Sequence, residues 1–142
     1  MTRAEWLSIL ARARAGTVTR LAALVEEELA VEVTRPPSAG LLLATVRESV
    51  DGATFHPGEI LVTTCEVRAG GCLGTGIVLG DDEEGARAAA VVDAALQQAF
   101  ARRDLVLWSL AEECRWRRGA ERAEEEMVRS TVVHFDTMEP QR

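Results

Sequence analysis

GGCLGTGIVLGDDEEGA, residues 70–86, carries five glycines in its first eleven positions and then four acids in a row. It reads in two ways: as a glycine-rich loop holding phosphate at a helix start, or as a hairpin turn, a strand and a capped helix. The residues decide for the second. A dinucleotide fingerprint opening at Gly74 needs its third glycine at position 79, where Leu79 stands. A P-loop ends in Gly-Lys-Ser/Thr, and the chain has no lysine. A helix start attracts phosphate through its free N–H groups and dipole. Here Asp81, Asp82, Glu83 and Glu84 already occupy that end and repel a second anion. The helix they begin, capped by Asp81 or Asp82, is expected to run through the alanine-rich segment to about Phe100.

Working back from the turn, EILVTTCEVR (59–68) alternates as a strand. A three-residue loop, Ala69-Gly70-Gly71, pairs Val67 with Leu73, Cys65 with Thr75, Thr63 with Ile77 and Leu61 with Leu79. Nearly all apolar side chains then share one face, with Gly71 left-handed in a bulged hairpin. A two-residue loop sets Leu73 against Arg68 and mixes the faces. The period-2 rule therefore predicts the three-residue loop. Gly74, Gly76 and Gly80 then form a bare strip on the opposite face, where another backbone can come close. That strip is the first candidate contact surface.

Thr2 and Glu5 form a capping box, and Trp6, Ile9, Leu10 and Ala13 repeat at helical spacing. Gly16 is expected to end that helix, and Thr17 or Thr19 to start another with Leu21, Leu24, Val25 and Leu29 on one face. VEVTR (31–35) reads as a short strand stopping at Pro36-Pro37, and LLLATVRE (41–48) as a strand. SVDGATFHPG (49–58) reads as a loop with turn signals at Asp51-Gly52 and Pro57-Gly58. A further helix is expected from Asp104, apolar at Leu107, Leu110, Ala111 and Cys114, then strongly charged from Arg115 to Arg129 around Gly119. STVVHFDTM (130–138) reads as a closing strand. The expectation is an α+β fold in one domain, residues 1–142, with a mainly antiparallel sheet of four to five strands and about four helices.

The totals narrow function by exclusion. At 142 residues the chain has room for one core, and its aromatic content is 4% with no tyrosine. A net charge of −7 argues against general binding to nucleic acid or anionic membrane. Its 16 basic residues are all arginine, which reads as codon bias. The N-terminus does not resemble a signal peptide, and no segment approaches a membrane span. Three cysteines, Cys65, Cys72 and Cys114, lack paired-ligand spacing and point to a reducing cytoplasm.

No catalytic set stands out. His56, His134 and the cysteines are too scattered for a metal site, and no nucleophile elbow is present. The acidic runs at 26–28, 81–84 and 124–126 read as solvated helix faces. RWRR (115–118) could grip a phosphorylated ligand or an acidic partner. Glu112, Glu113 and Glu121 nearby make internal ion pairs the simpler reading. Trp6, Trp108 and Trp116 each suit a core; Trp116, between arginines, suits an interface anchor best. No catalytic, cofactor-binding or metal-ligating residues are therefore assigned.

Several segments in order resemble one family, the G subunit of the bacterial carbon–phosphorus lyase core complex (PhnG). They are EWLSILA (5–11), RPPSAGLLLATVR (35–47), FHPGEILVTTCEVR (55–68), CLGTGIVLG (72–80), ARAAAVVDAALQQ (86–98) and VVHFDTM (132–138). No single motif is highly specific; the ordered set is. The resemblance implies a role in phosphonate catabolism beside the H, I and J subunits, with no cofactor on this chain. In that system the I subunit, helped by G, H and an ATP-binding-cassette-type protein, exchanges the adenine of ATP for a phosphonate. The product is a ribose 1-phosphonate 5-triphosphate. The radical iron–sulfur chemistry belongs to J, and G is an accessory subunit.

Three positions depart from the family pattern. Ser49-Val50-Asp51-Gly52 replaces a Gly-Gly-Thr-Gly run, Thr64 replaces an arginine before Cys65, and Gly80-Asp81-Asp82 replaces Gly-Arg-Asp. The two missing arginines weaken any anion-facing role there. The expected partner interface is Phe55, Gly74, Gly76, Gly80 and Trp116, with the I subunit the most direct partner. The competing expectations are a homo-oligomeric small-molecule-binding module and a small enzyme acting on a phosphorylated ligand through scattered acids and Arg68 or Arg115.

Overall fold

A computed structural model describes residues 1–47 and 54–136, with side chains described over 1–43 and 58–130. The element order is α1 (Arg3–Arg12), α2 (Ala15–Glu26), β1 (Val31–Arg47), β2 (Thr54–Ala69), β3 (Cys72–Leu79), α3 (Glu83–Leu96) and α4 (Arg103–Asp136). The class is α+β. Among the described residues the sheet is antiparallel in the order β1-β2-β3, three strands rather than four to five.

Two differences account for the lower strand number. Residues 31–35 and 41–47 are one strand: Pro36-Pro37 do not end it but fall within the register shift between Arg35 and Ser38. Proline is tolerated at such an irregularity on an edge strand, where its missing N–H breaks no ladder. The second difference is at residues 130–136, which continue α4 as helix instead of forming a strand. The β-branched run Thr131-Val132-Val133 favours a strand only weakly. Extending an existing helix costs far less than starting a new element. The segment 54–58, expected as loop, belongs to β2. The turn signal at Asp51-Gly52 lies outside the described residues.

The core is built round α3. Asp82 caps it, accepting from the Gly85 N–H, as the sequence suggested. Ala86, Ala88–Ala90, Val91, Val92, Ala94, Ala95 and Leu96 are all buried. A helix apolar on every side belongs inside. One side lies on β2 and β3, and α1 and α2 pack on it as well. The helix ends at Leu96, short of Phe100.

The β2–β3 register follows from this packing. The loop has two residues, Gly70-Gly71, with Gly70 left-handed at φ 58°. Val67 faces Gly74, Cys65 faces Gly76 and Thr63 faces Val78. A Cβ at Gly74 would meet the Ala90 carbonyl and lie 2.5 Å from Ala94 N; one at Gly76 would meet the Ala86 carbonyl and lie 2.8 Å from Ala90 N. The glycine strip does admit another backbone, but that backbone is α3 of the same chain. A three-residue loop would put Leu73, Thr75 and Ile77 into a gap with no room for a side chain. The spacings match: two strand residues advance about 6.7 Å and four helix residues about 6 Å.

The first helix pair also differs from expectation. The Thr2–Glu5 capping box is present. The break falls at Ala13-Arg14, however, and Gly16 lies inside α2. No side chain of α2 caps its start. Instead Glu113, from α4, accepts from the Arg14 N–H at 2.8 Å. A distant residue thus satisfies the orphan donor and sets the break.

Two glycine substitutions test this architecture in opposite directions. Gly76→Ala is expected to destabilise the chain by about 3 kcal/mol or more, since the obstructing atoms are backbone and cannot rotate away. Gly119→Ala, with open space around it inside exposed α4, is expected to stabilise by up to about 1 kcal/mol. Urea unfolding of both variants reads the two signs; a neutral Gly76→Ala would refute the close packing.

Candidate functional site

With Thr63, Cys65 and Val67 turned toward α3, the alternate residues of β2 and β3 form the outer sheet face. Leu73, Thr75, Ile77 and Leu79 line β3 on that side. Arg68, Glu66, Thr64, Val62 and Ile60 line β2 beside them, and Leu42 pairs with Ile60. Leu73 is 53% exposed, Ile77 44%, Leu79 52%, Leu42 52% and Ile60 43%. Arg35 pairs with Glu66 across this face, N to O 3.8 Å, so the apolar residues gather along β3 and at the Val62, Ile60 and Leu42 end. Scattered exposed leucines need no explanation, but a contiguous apolar sheet face does.

Beyond β3 the sheet narrows to two strands. β3 pairs with β2 only over residues 62–69. Residues 41–47 and 54–61 pair with each other as a ribbon leading away from the core, with one further backbone bond at its base from the Gly80 N–H to the Leu61 carbonyl. Leu41 and Leu43 stand on one face with Leu61, and Leu42 stands on the other with Ile60. All five side chains are exposed. The run LLL at 41–43 thus puts leucine on both faces, with Glu59 opposite Leu43 on the first.

Buried polar groups near this face serve the fold. Asp93, fully buried in α3, accepts from Arg3 Nε and Nη2 (3.1 and 2.9 Å), Trp6 Nε1 (2.8 Å) and the Thr75 N–H (2.9 Å). Gln97 Nε2 donates to the Leu73 carbonyl at 2.7 Å. These bonds hold α1 against α3 and close part of the β3 edge to strand addition. Asp93 is the lone charge in residues 88–96. That isolation is the signal by which sequence reading could have singled it out. Thr63 Oγ1 donates to the Gly80 carbonyl and accepts from the Asp82 N–H, fixing the strand-to-helix turn on β2. Burial pushes the Cys65 thiol up, away from the reactive thiolate.

The residues expected at a partner interface do not gather at one place. Gly74 and Gly76 are buried under α3, so they are not a surface for another protein. Gly80 is left-handed at φ 85° and its backbone is bonded to β2, its N–H to the Leu61 carbonyl. Phe55 lies in the two-stranded ribbon, its backbone opposite Val46. Trp116 stands half-exposed on α4, with the Arg14 guanidinium 4.0 Å from its ring centroid. Trp6 is core, whereas Trp108, 60% exposed on α4, is a surface aromatic that only the structure identifies. Arg115 pairs with Glu112, the internal pairing anticipated for that helix.

The described residues form an α+β fold with helices on one sheet face, exposed apolar side chains on the other and their buried charges engaged in internal bonds. The family described as phosphonate metabolism protein PhnG matches residues 1–140, and the chain belongs to that family. It is 33% identical over 138 residues to alpha-D-ribose 1-methylphosphonate 5-triphosphate synthase subunit PhnG of Rhizobium meliloti (strain 1021), covering 96% of this chain and 87% of that protein. Among the described residues, no helix is long and apolar enough to cross a membrane.

The Arg14–Glu113 pair supplies a pH test of the α1–α2–α4 junction. Hydrogen bonds from Arg14 hold the Glu113 carboxyl below its ordinary pKa, against the opposing effect of burial. A carboxyl depressed in the folded state stabilises above its unfolded pKa, and that stability is lost as pH falls through the folded value. Glu113→Gln is therefore expected to be less stable than the parent at pH 7, with the gap closing below about pH 4. Thermal unfolding from pH 7 to 3 follows it; a gap independent of pH would rule out the ionic contribution.

Proposed function

We propose that this chain is an accessory, non-catalytic subunit of a ribose 1-phosphonate 5-triphosphate synthase in the carbon–phosphorus lyase system. In this reading it supports the exchange of ATP adenine for an alkylphosphonate, while the reacting groups sit on companion chains. Its partners are the H, I and J subunits of the core complex, with the I subunit in direct contact. Family membership and the synthase relative support the pathway. The outer sheet face carries the docking role: Leu73, Ile77, Leu79, Leu42 and Ile60 form an apolar surface on an acidic chain. Trp116, Phe55 and the Gly80 turn remain proposed contributors at separate points of the surface.

Co-expression with the I subunit followed by gel filtration tests the reading. The two chains are expected to co-elute at micromolar concentration. Ile77→Asp is expected to weaken the assembly by roughly 30-fold, the effect of one interface hot spot, while leaving the thermal midpoint of the lone chain in place. The lone chain is expected not to consume ATP with an alkylphosphonate. Separate elution of the parent chains, or brisk turnover by this chain alone, would overturn the proposal.

A further inference from the structure

We infer that the groove between α1 and α4 is a binding site for a small phosphomonoester, with its phosphate held by Arg12, Arg117 and Arg118 and its apolar body laid along the two helices. The inference goes beyond the accessory role and does not depend on it.

The first observation is a group of arginines without partners. Arg12 of α1 and Arg117 and Arg118 of α4 line one recess of about 170 Å³. Among the described residues none of the three makes an ion pair or a side-chain hydrogen bond. The carboxylates close by do not neutralise them. Glu113 also lines the recess, but it is committed to Arg14 and Thr17. Glu112 is taken by Arg115. Glu121 stands four residues from Arg117 and three from Arg118, the helical spacing for an ion pair, and pairs with neither. The whole chain carries a net charge of −7, so composition does not explain guanidinium groups gathered at one point. Like charges there repel one another, and an anion between them turns repulsion into attraction. The planar guanidinium fork matches phosphate oxygens two at a time.

The second observation is what adjoins the recess. Ser8, Ile9, Cys114 and Arg118 line both it and a groove of about 710 Å³. Small-molecule sites are roughly 300–1,000 Å³. The lining of this groove is mostly apolar, with Met1, Ala4, Ile9 and Ala111 beside Cys114. Glu5, also on the groove, is held in the capping box with Thr2. Helical spacing accounts for the arrangement. Ser8 and Arg12 share one side of α1, and Ala111, Cys114, Arg115 and Arg118 share one side of α4. Apolar lining thus runs into a cationic end. That combination suits a phosphate carried on an apolar body better than free phosphate. An acidic peptide spreads its carboxylates along a backbone, whereas these three arginines converge on one small recess.

Calorimetric titration of the purified chain with phenyl phosphate and with inorganic phosphate, at physiological ionic strength, tests the site. Phenyl phosphate is expected to bind saturably below about 1 mM, and at least about 10-fold more tightly than inorganic phosphate, as burial of a phenyl ring allows. Arg12→Gln, Arg117→Gln and Arg118→Gln are each expected to weaken it about 10-fold or more, the effect of losing one charge-assisted hydrogen bond. Arg12 and Arg118 are exposed and Arg117 half-buried, so all three variants are expected to keep the parent's thermal midpoint. Arg20→Gln removes the same charge from an exposed position on α2 and is expected to change binding by less than about 2-fold. Absence of saturable binding overturns the inference. So does equal binding of inorganic phosphate, which would leave the apolar lining without a role. If a glutamate-rich peptide binds as tightly through the same arginines, the groove receives an acidic protein segment and the inference fails. Co-elution with the I subunit is read separately, so either result leaves the accessory role to its own test.

Discussion

The approach of α3 to β3 sets the rest of the molecule. Gly74 and Gly76 present no side chain, and Ala86, Ala90 and Ala94 present the smallest ones, so helix backbone lies almost directly on strand backbone. Nothing larger than hydrogen fits at either glycine. That single exclusion fixes the hairpin register, because sliding it by one residue would drive leucine and isoleucine into the gap. It also decides which side chains point outward. Leu73, Ile77 and Leu79 face away from the core because the inner face of β3 has no space for them.

Polar bonds then lock the elements that this contact brings together. Asp93 gathers donors from α1 and β3 onto α3, and Glu113 gathers donors from Arg14 and Thr17 onto α4. An unpaired carboxylate in such positions would be costly, and both are supplied with several donors. Carboxylates committed in this way are not free to move protons for a substrate. The chain therefore uses its buried charges for shape, which agrees with a subunit whose contribution is contact.

The outward consequence is a sheet with one covered face, continued by a ribbon covered on neither. Both features leave apolar side chains exposed. Membership in the PhnG family places such surfaces in a protein known among its relatives as a synthase subunit.

By itself the sequence determined the α+β class, the capped starts of α1 and α3, the antiparallel hairpin and the presence and order of four helices, though not all their ends, because these rest on local spacing and capping chemistry. It also determined the family, through ordered segments spread over the chain. The tertiary structure decided the rest. Period-2 reasoning assigns apolar residues to one face, and β3 has its leucines outside because a helix backbone fills the inside. Gly16 and Pro36-Pro37 were read as local stops, yet Glu113 from α4 sets one break and an edge position lets β1 run through the other. The contact of Asp93 with α1 spans about ninety residues, beyond the reach of any local pattern. Where a choice depended on what lay across the core, only the folded arrangement could make it, since packing is a property of pairs distant in sequence.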